Sequence, residues 1–178
     1  MRVLKFGGSS LADADRFARA ADIIANNAQQ GAVSVVLSAP GKVTNKLVSV
    51  IENSIQHGEA ELQIKDLEAV FNDLFAGLKA IAPDFDKVAM DAKLASSLGQ
   101  LKQYVHGIKL LGLCPDNVYA KIISKGERLS IVAMQSLLEA RGQAASLIDP
   151  VAYLAASGDY LEAHVDIEAS TKTSVPIL

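Results

Sequence analysis

The chain has no tryptophan, a single cysteine, three histidines and five prolines in 178 residues, and aromatic residues make up 5% of it. With Cys114 alone no intrachain disulfide can form, which suits a reducing compartment. His57, His106 and His164 are scattered, and with one thiol they give no zinc-ligand spacing, so no metal site is expected. The net charge of −3 leaves no basic footprint for nucleic acid and no field that would draw anions from a distance. Any phosphate site must therefore be local. No run approaches the roughly eighteen apolar residues of a membrane-spanning helix, and the amino terminus reads as a strand instead of a signal peptide. These absences point to a soluble, cytoplasmic protein without nucleic-acid or membrane partners. Half of the residues are apolar, enough for one domain with a core.

What is present begins with Lys5-Phe6-Gly7-Gly8-Ser9-Ser10, a cation, paired glycines and two hydroxyls where an apolar strand gives way to helical spacing. Glycines let backbone amides approach phosphate oxygens, a helix start adds partial positive charge, and a lysine offsets charge on a transferred group. The loop lacks the Gly-Lys-Ser/Thr of a P-loop and the third glycine of a dinucleotide fingerprint. Taken alone it also reads as a plain tight turn.

Short apolar runs predict strands over residues 2–6, 32–37 and 144–148, buried on both faces of a parallel sheet. Helical spacing predicts helices over 11–30, with Ser10 and Asp13 at its start, and over 44–57, 61–81, 86–112, 116–124 and 127–141. Pro83, Gly112 with Pro115, and Gly142 mark ends between them. Strand, helix, strand, several helices, strand indicates an α/β domain with parallel strands and a helix-rich insertion. That insertion reads as a lid, a helical layer or a partner surface.

Two more segments carry chemistry. Ser38-Ala39-Pro40-Gly41-Lys42-Val43-Thr44-Asn45 follows the second strand, at the end of a parallel sheet where ligands of open α/β folds bind. Its other reading is an ordinary strand-to-helix loop with Thr44 as N-cap. Gly126-Glu127-Arg128-Leu129-Ser130 puts a carboxylate in the first turn of a helix. Either Glu127 complements the helix dipole, worth roughly 0.3 to 1 kcal/mol, or it recognises a substrate ammonium group. Cys114, beside Gly112 and Pro115, reads as a buried inert thiol. None of the histidines is given a catalytic role.

The three segments, in this order, resemble the aspartate kinases of the amino-acid kinase superfamily. The likeness extends through His106-Gly107-Ile108 with Leu110-Leu111-Gly112, Leu138-Glu139-Ala140-Arg141-Gly142 and Ile148-Asp149-Pro150, to about Ser170. It is strongest toward the amino-terminal end of the bifunctional aspartokinase/homoserine dehydrogenases. The resemblance implies the three-layer αβα, carbamate-kinase-like fold. It implies transfer of the ATP γ-phosphoryl group to L-aspartate, with Mg²⁺ accompanying the nucleotide, in the pathway to threonine, lysine and methionine. By this similarity Lys5 stabilises the transferred phosphoryl, Gly7, Gly8 and Ser9 contact ATP phosphates, Ser38 and Thr44 hold aspartate, and Glu127 pairs with its ammonium. A carboxylate nucleophile needs no general base, so positioning and charge can supply the catalysis.

The family's Gly-Arg-Gly-Gly-Ser-Asp-like and Thr-Asp-Val-Asp-Gly-like segments do not occur in these residues. Residues 1–178 are accordingly expected to be the amino-acid-binding, N-terminal lobe of such a kinase, without the nucleotide-binding half, regulatory domains or dehydrogenase module. The apolar Pro176-Ile177-Leu178 ending reads as a cut at a strand. A homo-oligomer is expected. The alternatives are a non-catalytic binding or oligomerising domain with the kinase fold, and a kinase for another small acid such as glutamate or N-acetylglutamate.

Overall fold

Two five-residue strands, β1 (Arg2–Phe6) and β2 (Val33–Leu37), pair in parallel with Lys5 opposite Val36 and Phe6 opposite Leu37. The structure, a computed structural model, describes residues 1–174; the Pro176-Ile177-Leu178 ending lies outside the described residues. Between the strands runs α1 (Ala14–Ala28), whose Phe17, Ala21 and Ile24 are buried against the sheet and the helices beyond it. Then come α2 (Val43–His57), α3 (Glu61–Ile81), α4 (Lys87–Leu111), α5 (Asp116–Ile123) and α6 (Lys125–Ala140). An antiparallel pair of two-residue strands, β3 (Ala156–Ser157) with β4 (His164–Val165), and α7 (Ile167–Ser174) complete the described chain.

The helical layer has α3 at its centre, in contact with α1, α2 and α4. Phe71, Phe75 and Phe85 are fully buried there, with ring centroids 5.8 and 6.3 Å apart in the tilted arrangements aromatic pairs prefer. Helix α6 leans on α1, α4 and β2, and Arg141 at its end donates to Asp22 Oδ1 (2.7 Å) and to the Ala18 carbonyl (3.2 Å). Gly142 follows at φ +75°, and the Gln143 amide reaches back to the Leu138 carbonyl at 2.9 Å. This is the left-handed stop that glycine adopts without a Cβ clash, as its sequence position predicts.

The expected α/β fold, with parallel strands and a helix-rich middle, is therefore present. Three local expectations need correction. Residues 144–148 form no strand: they share a cavity of about 530 Å³ with β2 and α6 instead of laddering onto β2, and Gln135 Nε2 holds the Ala145 carbonyl at 3.0 Å. A short apolar run becomes a strand only when a neighbour completes its hydrogen bonds.

The strands are also not buried on both faces. Leu4, Phe6, Val35 and Leu37 turn toward the core, whereas Val3 and Val36 remain 65% and 50% exposed. The helices of the described residues cover one face of the sheet. Finally, the first helix starts later than its spacing suggests. A 3-10 turn (Gly8–Leu11) comes first, and Asp13 is the N-cap, accepting from the Arg16 amide at 2.9 Å.

Candidate functional site

The chain leaves the carboxyl ends of β1 and β2 through two loops that are bonded to each other. The Ser38 amide donates to the Phe6 carbonyl (3.0 Å), and the Gly41 amide donates to the Gly8 carbonyl (2.9 Å). A β-carbon on Gly8 would lie 2.8 Å from the Ala39 carbonyl oxygen and 3.0 Å from that of Gly41, both backbone atoms that cannot rotate away. Around Gly7 the corresponding space is open to 4 Å. The paired glycines thus have different uses: Gly8 lets the loops dock, and Gly7 leaves room for a group arriving from solvent.

The third segment meets these loops at Ala39. A β-carbon on Gly126 would stand 2.6 Å from Ala39 Cβ and 2.8 Å from Val43 Cγ1, so the first turn of α6 seats directly on the loop after β2. Glu127, the next residue, has its Oε2 buried with no hydrogen-bond partner, and so does Ser130 Oγ one turn further on. Leaving a buried polar atom unpaired costs about 1 to 3 kcal/mol, more for charged groups. Such atoms call for a specific explanation, and a ligand site is one.

The predicted site residues are distributed as follows. Lys5 is exposed on the open face of the sheet, opposite Val36, and enters no ion pair among the described residues. Ser9 has its carbonyl tied to Arg16 Nη1 at 3.0 Å, and Arg16 is itself 3.3 Å from Asp13. Ser38 is half-buried at the end of β2. Thr44 is half-buried inside the first turn of α2; the N-cap there is Lys42, with no side-chain bond, so the N-cap reading of Thr44 is wrong. The start of α1 also contributes less than expected. Its Arg16 amide is capped by the Asp13 side chain, and the helix begins only beyond the 3-10 turn that separates it from Gly7.

Two residues escaped sequence reasoning. Ser130, fully buried, resembles a neutral core position between Leu129 and Ala133, and only its spacing from Glu127 signals otherwise. Lys125 is 8% exposed; its Nζ donates to Gln100 Oε1 at 3.0 Å and stands 5.6 Å from the Tyr104 ring centroid. Burial, and secondarily the neighbouring Arg128 charge, pull its pKa below the ordinary lysine value. Lys125 and Glu127 are two residues apart, about 200° around the helix, so they serve opposite sides. Lys125 ties the start of α6 to α4 while Glu127 is left free.

Cys114 is half-buried with Sγ 3.7 Å from the Pro115 carbonyl. Burial first, and then the Asp116 charge, push its thiol up, the reverse of what a nucleophile requires. Among the described residues no three His, Cys, Asp or Glu side chains gather to hold a metal ion, and no helix is long and apolar enough to cross a membrane.

Comparison with known proteins gives a consistent answer. The sequence profile of the amino acid kinase family matches residues 1–172. The bifunctional aspartokinase/homoserine dehydrogenase of Buchnera aphidicola is 40% identical over 173 residues, and that of Haemophilus influenzae 38% over 172. Each alignment takes in 97% of this chain and 21% of the relative, so the chain spans about a fifth of the length of the curated relatives it matches. Among solved structures, aspartokinase III of E. coli in complex with aspartate and ADP superposes with a TM-score of 0.85 at 23% identity, over 99% of this chain and 37% of that one. This likeness establishes the fold.

Proposed function

The chain belongs to the amino acid kinase family, and from that premise we propose that it forms the acid-binding part of an aspartate kinase. The reaction breaks the bond between the γ-phosphorus of MgATP and the oxygen that leaves on ADP. It makes a new bond from that phosphorus to a side-chain carboxylate oxygen of L-aspartate, giving 4-phospho-L-aspartate. The carboxylate is already ionised, so no proton has to be removed, and the protein's task is alignment and charge.

The observation that carries this reading is the buried, unpaired Glu127 Oε2 at the place where the Gly8 and Ala39 loops meet α6. An anionic acceptor there matches a free ammonium group and mismatches an acylated amine, which favours aspartate over an N-acetylated acid. Ser38 and Thr44 supply hydroxyls on the same side of the sheet end. The open space at Gly7 admits phosphate oxygens, with Gly8 and Ser9 continuing that loop, and Lys5 compensates the charge of the moving phosphoryl group. Mg²⁺ enters with the nucleotide as part of the substrate complex.

Within this proposal residues 1–178 are the N-terminal, amino-acid-binding part, and nucleotide is held mainly by sequence that these residues do not contain. The activity stands at the first step toward threonine, lysine and methionine, in the cytoplasm. Self-association is part of the same proposal, supported by Leu110, Leu111 and Leu113, which remain exposed at the end of α4.

The test is ligand titration of the 178-residue chain followed by NMR. L-aspartate should bind weakly, N-acetyl-L-aspartate should not, and Glu127→Gln should weaken aspartate at least about tenfold, the scale of a lost charged hydrogen bond. Equal binding of the two acids would remove the ammonium role from Glu127. Micromolar affinity of the isolated chain for MgATP would overturn the division between acid and nucleotide halves.

A further inference from the structure

Among the described residues three serines are buried, Ser54, Ser130 and Ser170, and they differ in one respect. Ser54 Oγ donates to the carbonyl four residues back, Val50, at 2.6 Å, the usual resort of a buried helical hydroxyl. Ser170 Oγ is bonded to both the amide (2.9 Å) and the carbonyl (3.3 Å) of Ala155. Ser130, with 0% exposure, has no partner, not even on its own helix.

Its direction is fixed by neighbours whose surroundings are known. Gly126 faces Ala39 and Val43, and Ser130, four residues later, lies about 40° further around α6, between the directions of Gly126 and Glu127. Residues three apart on a helix hold their β-carbons roughly 5–6 Å from each other. Two buried, unpaired oxygens, Glu127 Oε2 and Ser130 Oγ, therefore lie on one side of α6 beside the Ala39 loop. They make no bond to each other. One nitrogen between them, donating to both at about 2.8 Å, satisfies both.

We propose that Ser130 is a specificity residue of the site, its buried hydroxyl joining Glu127 in a two-point receptor for the primary ammonium group of the acid substrate. This rests on the aspartate-kinase reading for the identity of the substrate, but not for the receptor itself. Glu127 supplies charge, which any cation answers. Ser130 supplies a second acceptor, which only a cation with N–H donors to spare can use. Primary amines are selected over quaternary ones, and a free α-amino acid over its acylated or deaminated analogue.

The test uses the 178-residue chain carrying ¹³C at the glutamate side-chain carboxyls, with the Glu127 resonance assigned by its loss in Glu127→Gln. Methylammonium is the probe and tetramethylammonium its control. Methylammonium should move the Glu127 resonance, tetramethylammonium should not, and Ser130→Ala should raise the methylammonium concentration required about tenfold, as expected for one hydrogen bond to a charged group. The variant should melt no lower than wild type, because alanine removes an unpaired buried hydroxyl together with its desolvation cost.

Equal methylammonium response in wild type and Ser130→Ala, no response of Glu127 in wild type, or unfolding of the variant would each overturn the proposal. The last would show that the hydroxyl has a structural partner. A parallel titration with L-aspartate and succinate separates the two ideas. If methylammonium behaves as described and L-aspartate does not bind, the aspartate-kinase reading fails and the receptor stands. If L-aspartate binds wild type and Ser130→Ala equally, the reverse holds.

Discussion

Gly126 and Ala39 touch without room for a methyl group between them: a β-carbon on Gly126 would fall 2.6 Å from Ala39 Cβ. Through this contact the first turn of α6 takes its position from the loop after β2, and Glu127 is set beside the segment that carries Ser38 and Thr44. The contact between Gly8 and the Ala39 and Gly41 carbonyls does the same for the first loop.

The glycine at each contact is consequently a packing requirement that can be measured. Gly126→Ala and Gly8→Ala should each destabilise the chain by about 1–3 kcal/mol, the cost of overpacking. Gly7→Ala, with nothing within 4 Å and an extended backbone (φ −81°), should change stability by no more than about 0.5 kcal/mol. Urea midpoints of the three variants give the comparison. Equal effects at Gly7 and Gly8 would mean that the loops do not dock as described.

Lys5 presents the opposite case, an exposed side chain whose proposed role is chemical and not structural. Lys5→Ala should leave the urea midpoint unchanged within about 0.5 kcal/mol. In any preparation of this chain that makes acyl phosphate, trapped with hydroxylamine, the same substitution should abolish the aspartate-dependent product. Residual transfer at the wild-type rate would remove Lys5 from the site.

Lys125 should give stability a pH dependence. Burial lowers its folded-state pKa below the ordinary 10.5, so across the interval between the two values the unfolded chain binds more protons than the folded one. Wild-type stability should therefore rise relative to Lys125→Met as pH increases through that interval, and the gain should be complete above about 10.5. Denaturation of both proteins at a series of pH values measures the slope. A flat or falling difference would place the ammonium in water.

At Cys114 the same reasoning applies to reactivity. Burial, chiefly, and the Asp116 charge raise the thiol pKa, so alkylation by iodoacetamide at mildly alkaline pH should be slower than for the unfolded chain. Asp116→Asn should recover the smaller part of the rate and urea the rest. If Asp116→Asn alone restored the full unfolded rate, charge and not burial would be the main cause.

How legible the molecule is from its residues depends on where each answer resides. Strands β1 and β2 are short runs rich in valine, leucine and phenylalanine that find each other, and their extent follows from the sequence. Residues 144–148 carry the same signal without a ladder, because pairing belongs to a neighbour and not to the run itself. Glu127 is readable as a first-turn carboxylate, since helix periodicity and Gly126 are local. Its lack of a partner is not, because that depends on every element packed around it. Lys125 shows the limit most clearly: nothing near it in the chain says that it is buried, and only the arrival of Gln100 and Tyr104 on α4 makes it so. The sequence assigns Gly8 to a ligand, yet the atoms nearest to a β-carbon there are the Ala39 and Gly41 carbonyls.

The spacing of these contacts along the chain bears on the order in which the site can come into being. The glycine loop and the loop after β2 belong to one β1–α1–β2 unit, which precedes α2 to α6 along the chain, and they can dock as soon as it folds. Glu127 joins them only after α3, α4 and α5 have been made and α4 has received Lys125. On the proposed reading, affinity for an ammonium group would report whether the helical layer has assembled, and a mutation at Phe75, in the core of that layer, should register as a lost ligand.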